Sequence, residues 1–191
     1  MMFYSFIWGL CKIIAFFLGG IDFKNRDNIP KEGSFIAAGN HRSSIDPFLI
    51  ALGMKRQMAF VAKDSLFKIP VIKHLLRWVN ANPIDRSGSP KEVVDKTVEL
   101  LRHGKPIAIF PEGTRNKGEE PLMAFKKGAA LLAIEAGVPI IPVGIKRSNK
   151  TFGRKIVIYG KPIMPPEGND KHSREALTET LYEEILKLLV D

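Results

Sequence analysis

The chain has 191 residues, 45% hydrophobic and 26% charged, and its 29 Lys+Arg against 20 Asp+Glu leave a formal net charge of +9. That length suits one domain with a real core, and no Gly/Ser linker, low-complexity tract or internal repeat divides it. A single cysteine, Cys11, excludes an intrachain disulfide framework and any Cys-x-x-Cys metal or redox site.

Residues 1–21 are almost wholly apolar but carry Lys12 at their middle. A lysine at the centre of a spanning helix costs about 2.5–3.5 kcal/mol. On a helix, Ser5, Gly9, Lys12, Ala15 and Gly19 fall on one narrow side, and the wider remainder is phenylalanine, isoleucine, leucine and tryptophan. This pattern predicts a helix lying in a membrane interface, with Lys12 reaching toward headgroups; the other reading is a helix buried against the domain. No basic stretch precedes the apolar run, which argues against a secretory signal. Residues 1–28 are thus expected to be a membrane-associating segment, followed by one globular domain over 29–191.

Residues 34–39 read as a short buried strand that delivers Asn-His-Arg-Ser-Ser-Ile-Asp-Pro at 40–47. A carboxylate such as Asp46 can hold the Nδ1–H of His41, fix its tautomer and leave Nε2 free to take a proton from a hydroxyl. Five residues along a regular helix would set the two side chains about 140° apart, at roughly 100° per residue. They meet only if His41 lies in the turn and a helix begins near Asp46, with Asp46 as its N-cap and Pro47 at its first position. The same residues also fit an aspartate that only caps a helix and a histidine that only closes a turn. His74, His103 and His172 have no carboxylate five residues on.

Further along, strands are expected at 57–62, 82–86, 106–110, 138–145 and 155–160, and helices at 46–54, 70–79, 90–103, 123–136 and 173–190. Alternation of this kind argues an α/β fold: a single domain with a mixed or mostly parallel central sheet flanked by helices. Ser89 and Pro90 mark one helix start and Gly104 its stop. The strand ending at Phe110 runs into a loop with Glu112, Gly113 and Arg115, and such strand-end loops are where α/β sheets bind ligands. Glycine admits close backbone approach and an arginine fork suits a phosphate. The two prolines in 138–145 predict an interrupted or edge strand.

Basic residues gather in two stretches: Lys55, Arg56, Lys63, Lys68, Lys73 and Arg77, then Lys146, Arg147, Lys150, Arg154, Lys155 and Lys161. Such charge suits an anionic lipid surface or an acidic carrier protein. Without a stacking platform or a recognised module, nucleic acid is disfavoured. There is no P-loop, Gly-x-Gly-x-x-Gly or His-Glu-x-x-His, so no nucleotide or metal site is implied. Ser43 and Ser44 lie beside His41, but no Gly-x-Ser-x-Gly elbow occurs.

Four blocks in order, His41-x4-Asp46, Ile84-x-Arg86, Phe-Pro-Glu-Gly-Thr-Arg at 110–115 and the proline-bearing strand at 138–145, resemble the 1-acylglycerol-3-phosphate acyltransferase family. The stretch Lys63-Asp64-Ser65-Leu66-Phe67 resembles that family's Lys-x-Glu-Leu-Phe segment, with Ser65 where glutamate is common. The resemblance implies transfer of a fatty acyl group from acyl-coenzyme A or acyl-carrier protein to the sn-2 hydroxyl of 1-acylglycerol 3-phosphate, giving phosphatidate. It implies His41 and Asp46 as the catalytic pair, and Arg115, Arg86 and Lys63, grouped with Glu112 and Gly113, as the phosphate-binding set. It also implies 29–191 as an acyltransferase domain, no metal or cofactor, and a place at the inner face of the cytoplasmic membrane. Other acceptors on the same fold (glycerol 3-phosphate, a lysophospholipid, a lyso-ornithine lipid), a hydrolase and a non-enzymatic membrane-binding module remain alternatives at this point.

Overall fold

The computed structural model describes residues 20–54, 56, 58–60, 89–147 and 153–190. Strands β1 (Ile21–Lys24), β2 (Ile36–Gly39), β3 (Ala59–Phe60), β4 (Ile107–Ile109), β5 (Ile140–Arg147) and β6 (Lys155–Tyr159) are joined by helices α1 (Asp46–Gly53), α2 (Pro90–Arg102), α3 (Gly128–Ala136) and α4 (Lys171–Val190). The sheet runs in the order β1-β6-β5-β2-β4-β3. β5, β2, β4 and β3 are mutually parallel, β6 is antiparallel to β5, and β1 is parallel to β6. The mixed sheet flanked by helices is the α/β architecture that the alternating pattern predicts.

β2 is buried at all four residues, as a central strand covered on both faces must be. Its alternate side chains feed two apolar clusters. Ile36 and Ala38 pack with residues of α2, α3 and α4 on one face, including Leu101, Ala133 and Ile185. Ala37 packs on the other face with Leu49 and Ile50 of α1 and with Val143, Val157 and Tyr159. α2 starts where sequence places it: Ser89 accepts the Glu92 N–H at 3.3 Å, and Pro90 opens the helix. α4 turns Leu177, Leu181 and Ile185 inward. No helix among the described residues is long and apolar enough to cross a membrane.

Several sequence expectations change. No strand was expected before residue 34, yet residues 21–24, assigned to the N-terminal membrane-associating segment, form β1, which pairs with β6 from Ile21↔Lys155 to Lys24↔Ile158 and packs Ile21 and Phe23 against the core. β5 is no edge strand; it lies between β2 and β6. Pro142 is tolerated because its carbonyl accepts the Gly160 N–H at 2.8 Å just past the end of β6, so its missing donor falls on the same side, where the ladder stops. α3 starts at Gly128 rather than 123, because the N–H groups of Met123 and Lys126 bond to Glu112 and to the Pro111 carbonyl instead of entering a helix. The helix expected at 70–79, the strand at 82–86, residues 61–62 of the strand expected at 57–62 and the apolar segment through residue 19 lie outside the described residues.

Candidate active site

β2, β4 and β5 are neighbours running the same way, so their C-terminal ends open onto one edge of the sheet. That edge is where α/β sheets place ligands. β2 stops at Gly39, and the buried Asn40 side chain continues its ladder. Its Oδ1 accepts the Ile145 N–H at 2.8 Å, and its Nδ2 donates to the Ile145 carbonyl at 3.2 Å. His41 is thereby released from the sheet but not from restraint. Its N–H donates to Glu112 Oε1 at 2.7 Å, and its carbonyl accepts the Asn116 N–H at 2.7 Å.

The imidazole stacks on Phe110 with ring centroids 4.1 Å apart and a 20° tilt. Nδ1 lies 3.1 Å from Asp46 Oδ2. Asp46 is fully buried, and the same oxygen accepts the N–H groups of Arg42 and Ser43 at 2.7 and 2.6 Å. Its Oδ1 pairs with the Arg147 guanidinium. Asp46 is thus the first residue of α1 and not its cap: the N-cap is Ile45, and the carboxylate reaches back into the turn. Only this backward reach brings the carboxylate onto His41. Burial chiefly holds the His41 pKa below its usual 6.5; the Glu112 carboxylate opposes this, and the Arg115 and Arg147 guanidiniums reinforce it. The ring is therefore neutral near pH 7. No hydrogen bond engages Nε2 among the described residues. Neither neighbouring serine bonds to the imidazole: Ser44 Oγ accepts from Arg115 Nη1 at 2.8 Å, and Ser43 Oγ faces the Ile45 N–H.

Of the five residues grouped as phosphate-binding, Lys63 and Arg86 lie outside the described residues. Arg115 is exposed at the mouth of the site. Gly113 takes a left-handed φ of 72°, and a Cβ there would come within 2.9 Å of the Lys126 side chain. Glu112 lies inside the same loop. It is 2% exposed, and its two oxygens accept the N–H groups of His41 and Met123 at 2.7 and 3.0 Å. A buried carboxylate so engaged braces the loop between the His41 turn and Met123. Sequence reasoning assigned no role to Asn40, Phe110, Asn116 or Arg147. The first three flank the recognised blocks, so proximity in sequence was a usable signal; Arg147, in a run of basic residues, carried none.

Residues 20–146 match the Acyltransferase family. The chain is 32% identical over 194 residues to the 1-acyl-sn-glycerol-3-phosphate acyltransferase of Borreliella burgdorferi, covering 94% of this chain and 76% of that one. It is 29% identical to the Bacillus subtilis protein of the same name, covering 97% and 96%. Its fold is similar to that of the 1-acyl-sn-glycerophosphate acyltransferase PlsC of Thermotoga maritima, with a TM-score of 0.75 at 24% identity over 97% of this chain and 80% of that one. With its family match over residues 20–146 and its 32% identity to the Borreliella burgdorferi protein, the chain belongs to the acyltransferase family of enzymes.

Proposed function

We propose that this protein transfers a fatty acyl group from an acyl thioester to the sn-2 hydroxyl of 1-acylglycerol 3-phosphate. The observation that carries the reading is an imidazole fixed through Nδ1 on a buried carboxylate, with no described residue hydrogen-bonded to Nε2. In this reading the acceptor hydroxyl gives its proton to Nε2 as its oxygen attacks the thioester carbonyl. Asp46 stabilises the imidazolium, and the departing thiolate takes the proton back. The thioester is already activated, so no acyl-enzyme is required and no metal or cofactor is called on. Arg115, with Arg86 and Lys63, would hold the acceptor phosphate. The apolar residues 1–19 would rest the enzyme on the inner face of the cytoplasmic membrane, beside its lipid acceptor.

The names of the relatives support this acceptor, and the chemistry admits either donor. The test is acyl transfer from palmitoyl-coenzyme A and from palmitoyl-carrier protein to 1-acylglycerol 3-phosphate in mixed micelles. Wild type should form phosphatidate with at least one donor, and His41→Ala should lose on the order of a thousandfold or more in rate. Acylation of glycerol 3-phosphate or a lysophospholipid in place of lysophosphatidate would move the acceptor. Free fatty acid without an acceptor would indicate hydrolysis, and no product with any acceptor would defeat the reading.

A further inference from the structure

The buried Asp46 carboxylate has two oxygens with separate tasks. Oδ2 faces His41 and the Arg42 and Ser43 amides, and Oδ1 faces Arg147, the last residue of β5. Arg147 is itself mostly buried, and its Nε–H is buried with no hydrogen-bond partner among the described residues, so the Asp46 carboxylate is the anion its guanidinium meets there. We propose that Arg147 is a positioning residue of the His41–Asp46 pair: by taking Oδ1 it turns Oδ2 toward the imidazole and balances the charge of the buried carboxylate.

The consequence concerns how strongly the imidazole holds a proton. An unbalanced buried carboxylate would favour imidazolium and block the base near neutral pH. With Arg147 in place the carboxylate can orient the ring without keeping it protonated. Among the described residues, the charged groups set around His41 are Asp46 from α1, Glu112 and Arg115 from the loop after β4, and Arg147 from β5, with the Arg42 guanidinium acting on Arg147. Arg147 and Arg115 both act to keep the ring neutral, in the same direction as its burial.

The inference rests on His41 serving as the base proposed above, and its test is built to read the pair without substrate. In the full-length 15N-labelled protein, the imidazole nitrogens are followed against pH, with His41 assigned by difference from His41→Ala. Arg147→Gln keeps a donor near Oδ1 but removes the charge, so the His41 midpoint should rise, and the acid limb of kcat/KM should move up with it. Arg147→Lys keeps the charge without the planar fork, so the midpoint should stay near wild type while kcat falls, by as much as a hundredfold if the ring is displaced. An unmoved or lowered midpoint in Arg147→Gln, or a loss seen only as a higher KM for the acceptor, would overturn the proposal and make Arg147 a ligand contact. Circular dichroism and thermal unfolding report whether either variant is folded; if Arg147→Gln is not, Arg147→Lys decides, since a midpoint displaced there despite the retained charge overturns the proposal. Wild-type silence with every acceptor would count against the proposed function alone, because the titration still decides the role of Arg147.

Discussion

One carboxylate, that of Glu112, ties the backbone of His41, 71 residues away, to that of Met123, 11 residues on. Each oxygen accepts one N–H, so the residue acts as a two-point clamp between the β2 turn and the loop after β4. Glu112→Gln turns one of those acceptors into a donor facing a donor. The variant should be destabilised by about 1–3 kcal/mol in urea unfolding, and kcat should fall while the acceptor KM holds. A raised acceptor KM with unchanged stability would instead put Glu112 against the substrate. The pair at the centre of the site has a similar economy. Asp46 meets two backbone N–H groups, the His41 ring and a guanidinium in a fully buried place, and the His41 pKa lies below its usual value because burial, with Arg115 and Arg147, outweighs the attraction of Glu112.

At the scale of elements, the site depends on how β2 ends. In the register that pairs Gly39 with Val143, the backbone of His41 would stand opposite Ile145 and be fixed in the ladder. Asn40 prevents this by offering its amide to both polar groups of Ile145, which lets the chain turn away with no buried donor left unpaired. Asn40→Ala should cost about 2 kcal/mol in urea unfolding and speed amide hydrogen exchange at Ile145. Exchange as slow as in wild type would show that the ladder closes without the side chain. α1 is held just as closely to the sheet: a Cβ on Gly53 would overlap the Tyr159 hydroxyl, which itself donates to the Ile50 carbonyl at 2.8 Å. Burial raises the Tyr159 pKa well above 10, so this bond keeps its proton throughout the physiological range.

Over the whole molecule, the sheet gathers three strand ends at one edge and leaves the charge less clustered than the linear order implies. In the second basic stretch, Arg147 pairs with Asp46, Arg154 with Asp22 at 2.6 Å, and the Lys155 side chain is buried, donating to the Gly153 carbonyl at 3.2 Å. Lys161 stays exposed. The net charge of +9 is thus expected to act as a diffuse attraction to an anionic surface, with the apolar N-terminal residues supplying the anchor. Binding of the full chain to phosphatidylglycerol vesicles, read by co-sedimentation, should weaken as salt shortens the Debye length from about 10 Å at 0.1 M to about 3 Å at 1 M. A residual affinity should remain at high salt and disappear when residues 1–19 are deleted. Complete release by salt from the intact chain would leave the apolar segment without the anchoring role.

Sequence by itself determined the parts whose physics is local. The apolar runs and helical patterns specify an α/β sheet, Ser89 and Pro90 start α2, and the five-residue spacing of His41 and Asp46 permits their contact. Tertiary structure alone decided which distant groups complete the site. Arg147 lies 101 residues from Asp46, Ile145 lies 105 from Asn40, and Glu112 lies 71 from His41. It also admitted Pro142 to an interior strand and drew Met123 and Lys126 out of an expected helix. The reason is the same in each case. Periodicity and turn chemistry are read from neighbours a few residues apart, whereas parallel pairing of β4, β2 and β5 brings together chain ends that no local pattern connects.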